Sequence, residues 1–153
     1  MADTYTQIHI QAIFAVKYRE ALIASTWKNE LYGYMGGIIK NHSHKVLAIN
    51  GVEDHVHLFF GFRPTQSLSD LMRIVKGESS EWINSRGFTQ KRFRWQGGFA
   101  AFSYKLSDVK TIIRYIQNQE RHHAKKKFLE EYRDYLNQFE IEYKEQYLYQ
   151  ALE

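Results

Sequence analysis

The chain has 153 residues, 44% of them hydrophobic, enough for one domain with one sizeable core. It contains no cysteine, which excludes disulfides, thiolate metal sites and cysteine nucleophiles. Net charge is +4 but unevenly spread: Lys and Arg against Asp and Glu number 5 and 5 over residues 1–60, 14 and 5 over 61–128, and 2 and 7 over 129–153.

The N-terminus lacks the basic and apolar regions of a leader, and no run approaches the roughly 18 apolar residues of a membrane span. A single cytoplasmic domain covering 1–153 is therefore expected. In the basic middle, charge is mixed with Phe93, Trp95, Phe99, Phe102 and Tyr104, a pattern suited to a groove for unpaired bases and their phosphates.

Residues 5–16 alternate, with Ile8, Ile10, Ala12, Phe14 and Val16 against Gln7, His9 and Gln11, which predicts a strand with one wet face. Lys17-Tyr18-Arg19 closes it. Ser25 or Thr26 is expected to cap a helix on which Trp27, Leu31, Tyr34, Met35 and Ile38 recur, with Gly36-Gly37 marking a close packing contact. His42-Ser43-His44 reads as a surface turn. Residues 45–52 predict a second strand, and Glu53-Asp54 joins it to a third as an antiparallel hairpin. On that third strand His55, His57 and Phe59 share one face, Val56, Leu58 and Phe60 the other.

Ser67-x-x-Asp70 reads as a capping box opening a helix with Leu68, Leu71, Val75, Trp82 and Ile83 on one side and Arg73 and Lys76 outward. Residues 84–98 read as a flexible loop and 99–104 as a fourth strand. This order predicts an α+β fold of the ferredoxin-like (RRM-like) plan: an antiparallel sheet with both helices on one face and the histidine face free. Ser107 is expected to cap a helix reaching about His123, with Val109, Ile112, Ile113 and Ile116 as its buried stripe and Tyr115, Gln119 and His122 as a separate one. A last amphipathic helix is expected over 124–138, followed by an acidic, tyrosine-rich tail.

On spacing alone, His55 and His57 are either histidines of a half-exposed sheet face or metal ligands, and Tyr115 is either an ordinary boundary tyrosine or a nucleophile. The chain has no glycine-rich nucleotide loop, so phosphate chemistry here would run without ATP.

The segments Val16-Lys17-Tyr18-Arg19, Asp54-His55-Val56-His57-Leu58, the Leu-x-x-Leu-Met-x-x-x-Lys helix at 68–76, Arg94-Trp95-Gln96-Gly97-Gly98-Phe99 and Tyr115-Ile116-Gln117-Asn118-Gln119-Glu120 with His122-His123 run in order along nearly the whole chain. Together they resemble the single-tyrosine HUH transposases of bacterial and archaeal insertion sequences. The resemblance implies C-terminal helices that carry the nucleophile, Tyr115. It implies a divalent metal, magnesium or manganese, held by His55, His57 and Gln119. It further implies cleavage and rejoining of single-stranded DNA through a 5′-phosphotyrosine, imperfect DNA hairpins as the recognised element, and a homodimer with shared active sites. Neither a membrane nor a nucleotide cofactor is expected to take part. Arg63, Arg73, Lys76, Lys91, Arg92, Arg94 and Lys105 are the cations expected to meet DNA. A domesticated nickase acting on repeated hairpins and a non-catalytic single-strand-binding module are the alternatives.

Overall fold

A computed structural model of the chain describes residues 3–123, 127–144 and 148. Four strands, β1 (His9–Ala15), β2 (Lys45–Val52), β3 (His55–Gly61) and β4 (Ala100–Tyr104), form one antiparallel sheet in the order β2-β3-β1-β4. Helices α1 (Lys28–Asn41) and α2 (Leu68–Arg86) cover one face of it. Against them pack Ala12, Phe14 and Val16 of the first strand region and Val56, Leu58 and Phe60 of β3, as the alternation predicts. The expected ferredoxin-like plan is present.

The other face is not free. After a 3-10 turn at Leu106–Asp108, helices α3 (Val109–Gln117), α4 (Gln119–His123) and α5 (Phe128–Gln138) follow, and α3 and α5 lie over that face. Ile116 of α3 packs on Phe59 and Ala48, while Phe128, Tyr135 and Leu136 of α5 pack on Ile13, Ala15 and Phe102. Gln11 therefore sits on a buried face and not a wet one.

Several local expectations are revised. Trp27, not Ser25 or Thr26, occupies the start of α1, its buried ring stacked on Phe88 at 4.8 Å. Ser67 does cap α2, accepting a hydrogen bond from Asp70 N–H at 3.0 Å. Ser107 lies inside the 3-10 turn, and Asp108 stands at the start of α3. His44 is buried: its Nδ1 accepts from Arg63 N–H (3.0 Å), its Nε2–H donates to Gln66 Oε1 (2.8 Å), and its ring stacks on Phe62.

The stretch after α2 is anchored. Asn84 bonds both backbone groups of Phe93, Trp95 Nε1–H donates to Ser79 Oγ at 2.9 Å, and the Lys76 ammonium donates to the carbonyls of Gln96 (2.8 Å) and Gly98 (2.7 Å). Phe93, Trp95 and Phe102 are buried, so these three rings serve the core and are not offered to unpaired bases.

The single helix expected from Ser107 to His123 is two helices. Asn50 Nδ2 on β2 donates to the carbonyls of Ile116 (2.9 Å) and Gln117 (3.1 Å), and Asn118 turns its amide onto Arg114 O (2.9 Å). The Asn50 amide thus takes the two carbonyls that a continuing helix would have bonded. Residues 124–126, the expected start of the last helix, and the tail beyond 144 apart from Leu148 lie outside the described residues, as does the side chain of His122.

Candidate active site

β3 delivers His55 and His57 to the face under α5, two residues apart and therefore on the same side of the strand. The turn that sets them is tight: a Cβ on Gly51 would fall 2.2 Å from the His55 carbonyl oxygen, so only glycine fits where β2 passes the start of β3. Both imidazoles are fully buried.

Each ring is oriented through its Nδ1. His55 Nδ1–H donates to Asp54 Oδ1 at 2.7 Å, and His57 Nδ1–H donates to Gln11 Oε1 at 2.7 Å. Gln11 is held in turn by Tyr104, whose hydroxyl accepts from Gln11 Nε2 at 2.8 Å. With Nδ1 protonated on both rings, the two Nε2 lone pairs point into the same space, the arrangement that prepares histidines for metal binding.

Facing them is a carboxylate. Glu131 Oε1, from α5, is 3.1 Å from His57 Nε2 and 3.6 Å from His55 Nε2, and His123 Nε2 on α4 is 3.1 Å from the same oxygen. Ligand atoms of His55, His57, His123 and Glu131 all lie within 4.8 Å of one another. His55 Nε2 makes no hydrogen bond to the described residues. Three imidazoles, a carboxylate and an orphaned buried nitrogen suit a divalent cation of borderline or hard character.

The electrostatics agree. Burial pushes the His57 imidazole down to about 4, leaving it neutral and able to coordinate. Burial also opposes charge on His55, but the hydrogen bond to Asp54 and the negative charges of Asp54 and Glu131 outweigh it and raise that imidazole above its ordinary value. Burial alone would raise the Glu131 carboxyl, yet His123, His55 and His57 hold it far below the usual carboxylate range.

Tyr115, on the last turn of α3, aims its hydroxyl into this group and donates to Glu131 Oε2. Its ring lies 6.1 Å from that of His57, centre to centre. Burial first, then Tyr135 and the Glu131 charge, raise the phenol well above its ordinary value. Gln119 is buried at the start of α4, with Oε1 3.1 Å from His123 Nε2 and Nε2–H donating to Tyr115 O at 3.3 Å. It thus adjoins the donor group through His123.

His55, His57, Tyr115 and Gln119 are brought together from β3 and the two helices. Gln11, His123 and Glu131 join them without having been singled out in the sequence. For His123 a signal existed, since it stands four residues after Gln119 and so on the same helical face. The candidate DNA contacts do not all line one groove. Lys76, Arg92 and Arg94 line one open groove of about 870 Å³ between α2 and the 92–95 segment. Lys76 is not turned outward there, because its ammonium holds the 96–98 backbone and burial lowers its pKa. Arg63 lines a separate groove with residues 4–9 and 43–45. Arg73 pairs with Asp70 at 3.6 Å and Lys91 with Glu20 at 2.6 Å, while Lys105 is exposed after β4.

The sequence profile of the family described as "Transposase IS200 like" matches residues 4–119. The chain belongs to this IS200-like transposase family. Over 118 residues the transposase is 25% identical to the ISDra2 transposase TnpA of Deinococcus radiodurans, spanning 74% of this chain and 84% of that protein. Its fold is similar to a crystal structure from Deinococcus radiodurans R1 designated a transposase, with TM-score 0.63, 19% identity, 78% of this chain and 95% of that one. It is also similar to a REP-associated tyrosine transposase solved bound to a REP hairpin, with TM-score 0.59, 15% identity, 80% of this chain and 73% of that one. Among the described residues of the transposase, no helix is long and apolar enough to cross a membrane.

Proposed function

We propose that this transposase cleaves and rejoins single-stranded DNA at the ends of its insertion sequence, in the cytoplasm, with Tyr115 as nucleophile and no nucleotide cofactor. One observation carries the reading: the Tyr115 hydroxyl and the His57 and His123 Nε2 atoms converge on the two oxygens of a single carboxylate, so one substrate phosphate can meet both groups.

Magnesium or manganese held by His55 and His57, with His123 and Gln119 as neighbouring donors, would supply a Lewis acid to a phosphate oxygen. Asp54 and Gln11 keep the histidine rings in the ligating tautomer. Tyr115 Oη bonds to phosphorus as the bond to the 3′ oxygen breaks, and the phenol proton ends on the released 3′-hydroxyl. The fragment on the 3′ side of the break is left on the enzyme, joined through its 5′ phosphate as a phosphotyrosine. A different 3′-hydroxyl reverses the step and joins strands, because the phosphotyrosine keeps the energy of the original bond.

DNA enters as an imperfect hairpin with single-stranded flanks. The REP hairpin bound by the structural neighbour supports this, as does the groove of Lys76, Arg92 and Arg94, with Arg63, Arg73, Lys91 and Lys105 as outlying contacts. The active unit is a homodimer. Its active sites are shared, and exchange of helices between subunits requires release of Asn50 from the end of α3.

The test uses single-stranded oligonucleotides from the DNA flanking the gene, mixed with protein and magnesium or manganese. The expected outcome is a denaturation-resistant protein–DNA adduct with the parent and none with Tyr115→Phe, which retains hairpin binding. An adduct of equal yield with the variant assigns the nucleophile elsewhere; tight binding without adduct under either metal identifies a binding module.

A further inference from the structure

The Glu131 carboxylate occupies the place that the reaction reserves for the substrate. In strand transfer, one phosphate oxygen must sit at the Nε2 atoms of the histidine group while phosphorus lies within reach of Tyr115 Oη. Glu131 meets both demands at once: Oε1 lies 3.1 Å from the Nε2 atoms of His57 and His123, and Oε2 accepts from the Tyr115 hydroxyl. A carboxylate and a phosphodiester share the features that matter here, two negatively charged oxygens on one central atom.

The packing around that carboxylate leaves no room for a second anion. His55 and His57 are 0% exposed and Glu131 is 2% exposed. Phe128, one turn earlier on α5, lies on His55 with ring centres 4.3 Å apart, and Tyr135, one turn later, stacks on Phe102 of β4 at 5.1 Å. A close-packed interior does not admit a phosphate without displacement of what fills it. A phosphate placed beside a retained Glu131 would also meet like charge at low dielectric.

We infer that Glu131 is a built-in stand-in for the scissile phosphate, and that α5 closes the site in the absence of DNA and must withdraw when a strand enters. The inference rests on the strand-transfer reading of this site. It assigns to α5 a function that hairpin recognition does not require: a buried catalytic group is protected from adventitious strands, and only DNA whose binding exceeds the docking of α5 gains access.

The experiment measures binding of a fluorescent single-stranded oligonucleotide, taken from the gene's flanks and carrying the hairpin, in EDTA so that metal plays no part. Glu131→Gln keeps the shape but loses the charge, and removal of the closed population raises apparent affinity by the inverse of the open fraction, here expected to be at least about tenfold. Unchanged or weaker binding by Glu131→Gln overturns the inference. If that variant does not fold, hydrogen exchange on the wild type decides: oligonucleotide binding is expected to speed exchange at amides of Phe128–Gln138 by about tenfold or more. Unchanged or slower exchange across α5 overturns it. The adduct assay on wild type with manganese, run alongside, tests the strand-transfer reading separately, so failure of one is distinguishable from failure of the other.

Discussion

Gln11 is the residue on which the orientation of His57 depends. Its Oε1 takes the His57 Nδ1–H at 2.7 Å while Tyr104 and Tyr135 fix the amide from the other side. Gln11→Leu keeps volume but removes the acceptor, so Nδ1–H is left buried without a partner and the ring is free to adopt the wrong tautomer. The expected outcome is a manganese affinity about 10- to 100-fold lower by titration calorimetry, the usual consequence of losing an outer hydrogen bond to a ligating histidine. Parity along β3 made the shared face of His55, His57 and Phe59 legible, and the same parity put Gln11 opposite its apolar neighbours. What parity could not supply was the cover: Gln11 read as wet because α5 was not yet over it.

The junction of α3 and α4 decides where Tyr115 points. Asn50 draws the Ile116 and Gln117 carbonyls to β2 and ends α3 two residues past Tyr115, the proposed nucleophile. Asn50→Ala is expected to lower unfolding stability by about 1 kcal/mol, the ordinary net value of such bonds. It should slow adduct formation with Tyr115 while oligonucleotide binding is retained, which a denaturant melt and a single-turnover time course would check. The end of α3 was not legible, since Val109, Ile112, Ile113 and Ile116 keep helical spacing up to the break and the amide that stops it lies 66 residues earlier in the chain. The start of α2 was legible because its signal is local: Ser67 and Asp70 are three residues apart.

Across the whole molecule, charge separates into a basic middle and an acidic C-terminal part. Only three of the proposed DNA-binding cations line one groove, and Lys76 is committed to the 96–98 backbone there, so Arg92 and Arg94 are left to meet phosphates. The double variant Arg92→Ala/Arg94→Ala is expected to weaken hairpin binding and to flatten the plot of log affinity against log salt by about 2. Fluorescence anisotropy at several salt concentrations reads both; an unchanged slope would assign the hairpin to another surface. The sequence by itself determined the order of the four strands and first two helices, the apolar face that β1 and β3 turn to those helices and the placing of His55 and His57 on one side of β3, because these follow from periodicities two to four residues long. It also carried, through the ordered motifs, the family and Tyr115. The tertiary structure alone decided that the histidine face is covered, that aromatic residues of the basic middle belong to the core, and that Glu131, 74 residues from His57, faces the histidines. Docking of one element on another is a non-local choice, made by surfaces that meet only after the chain has folded.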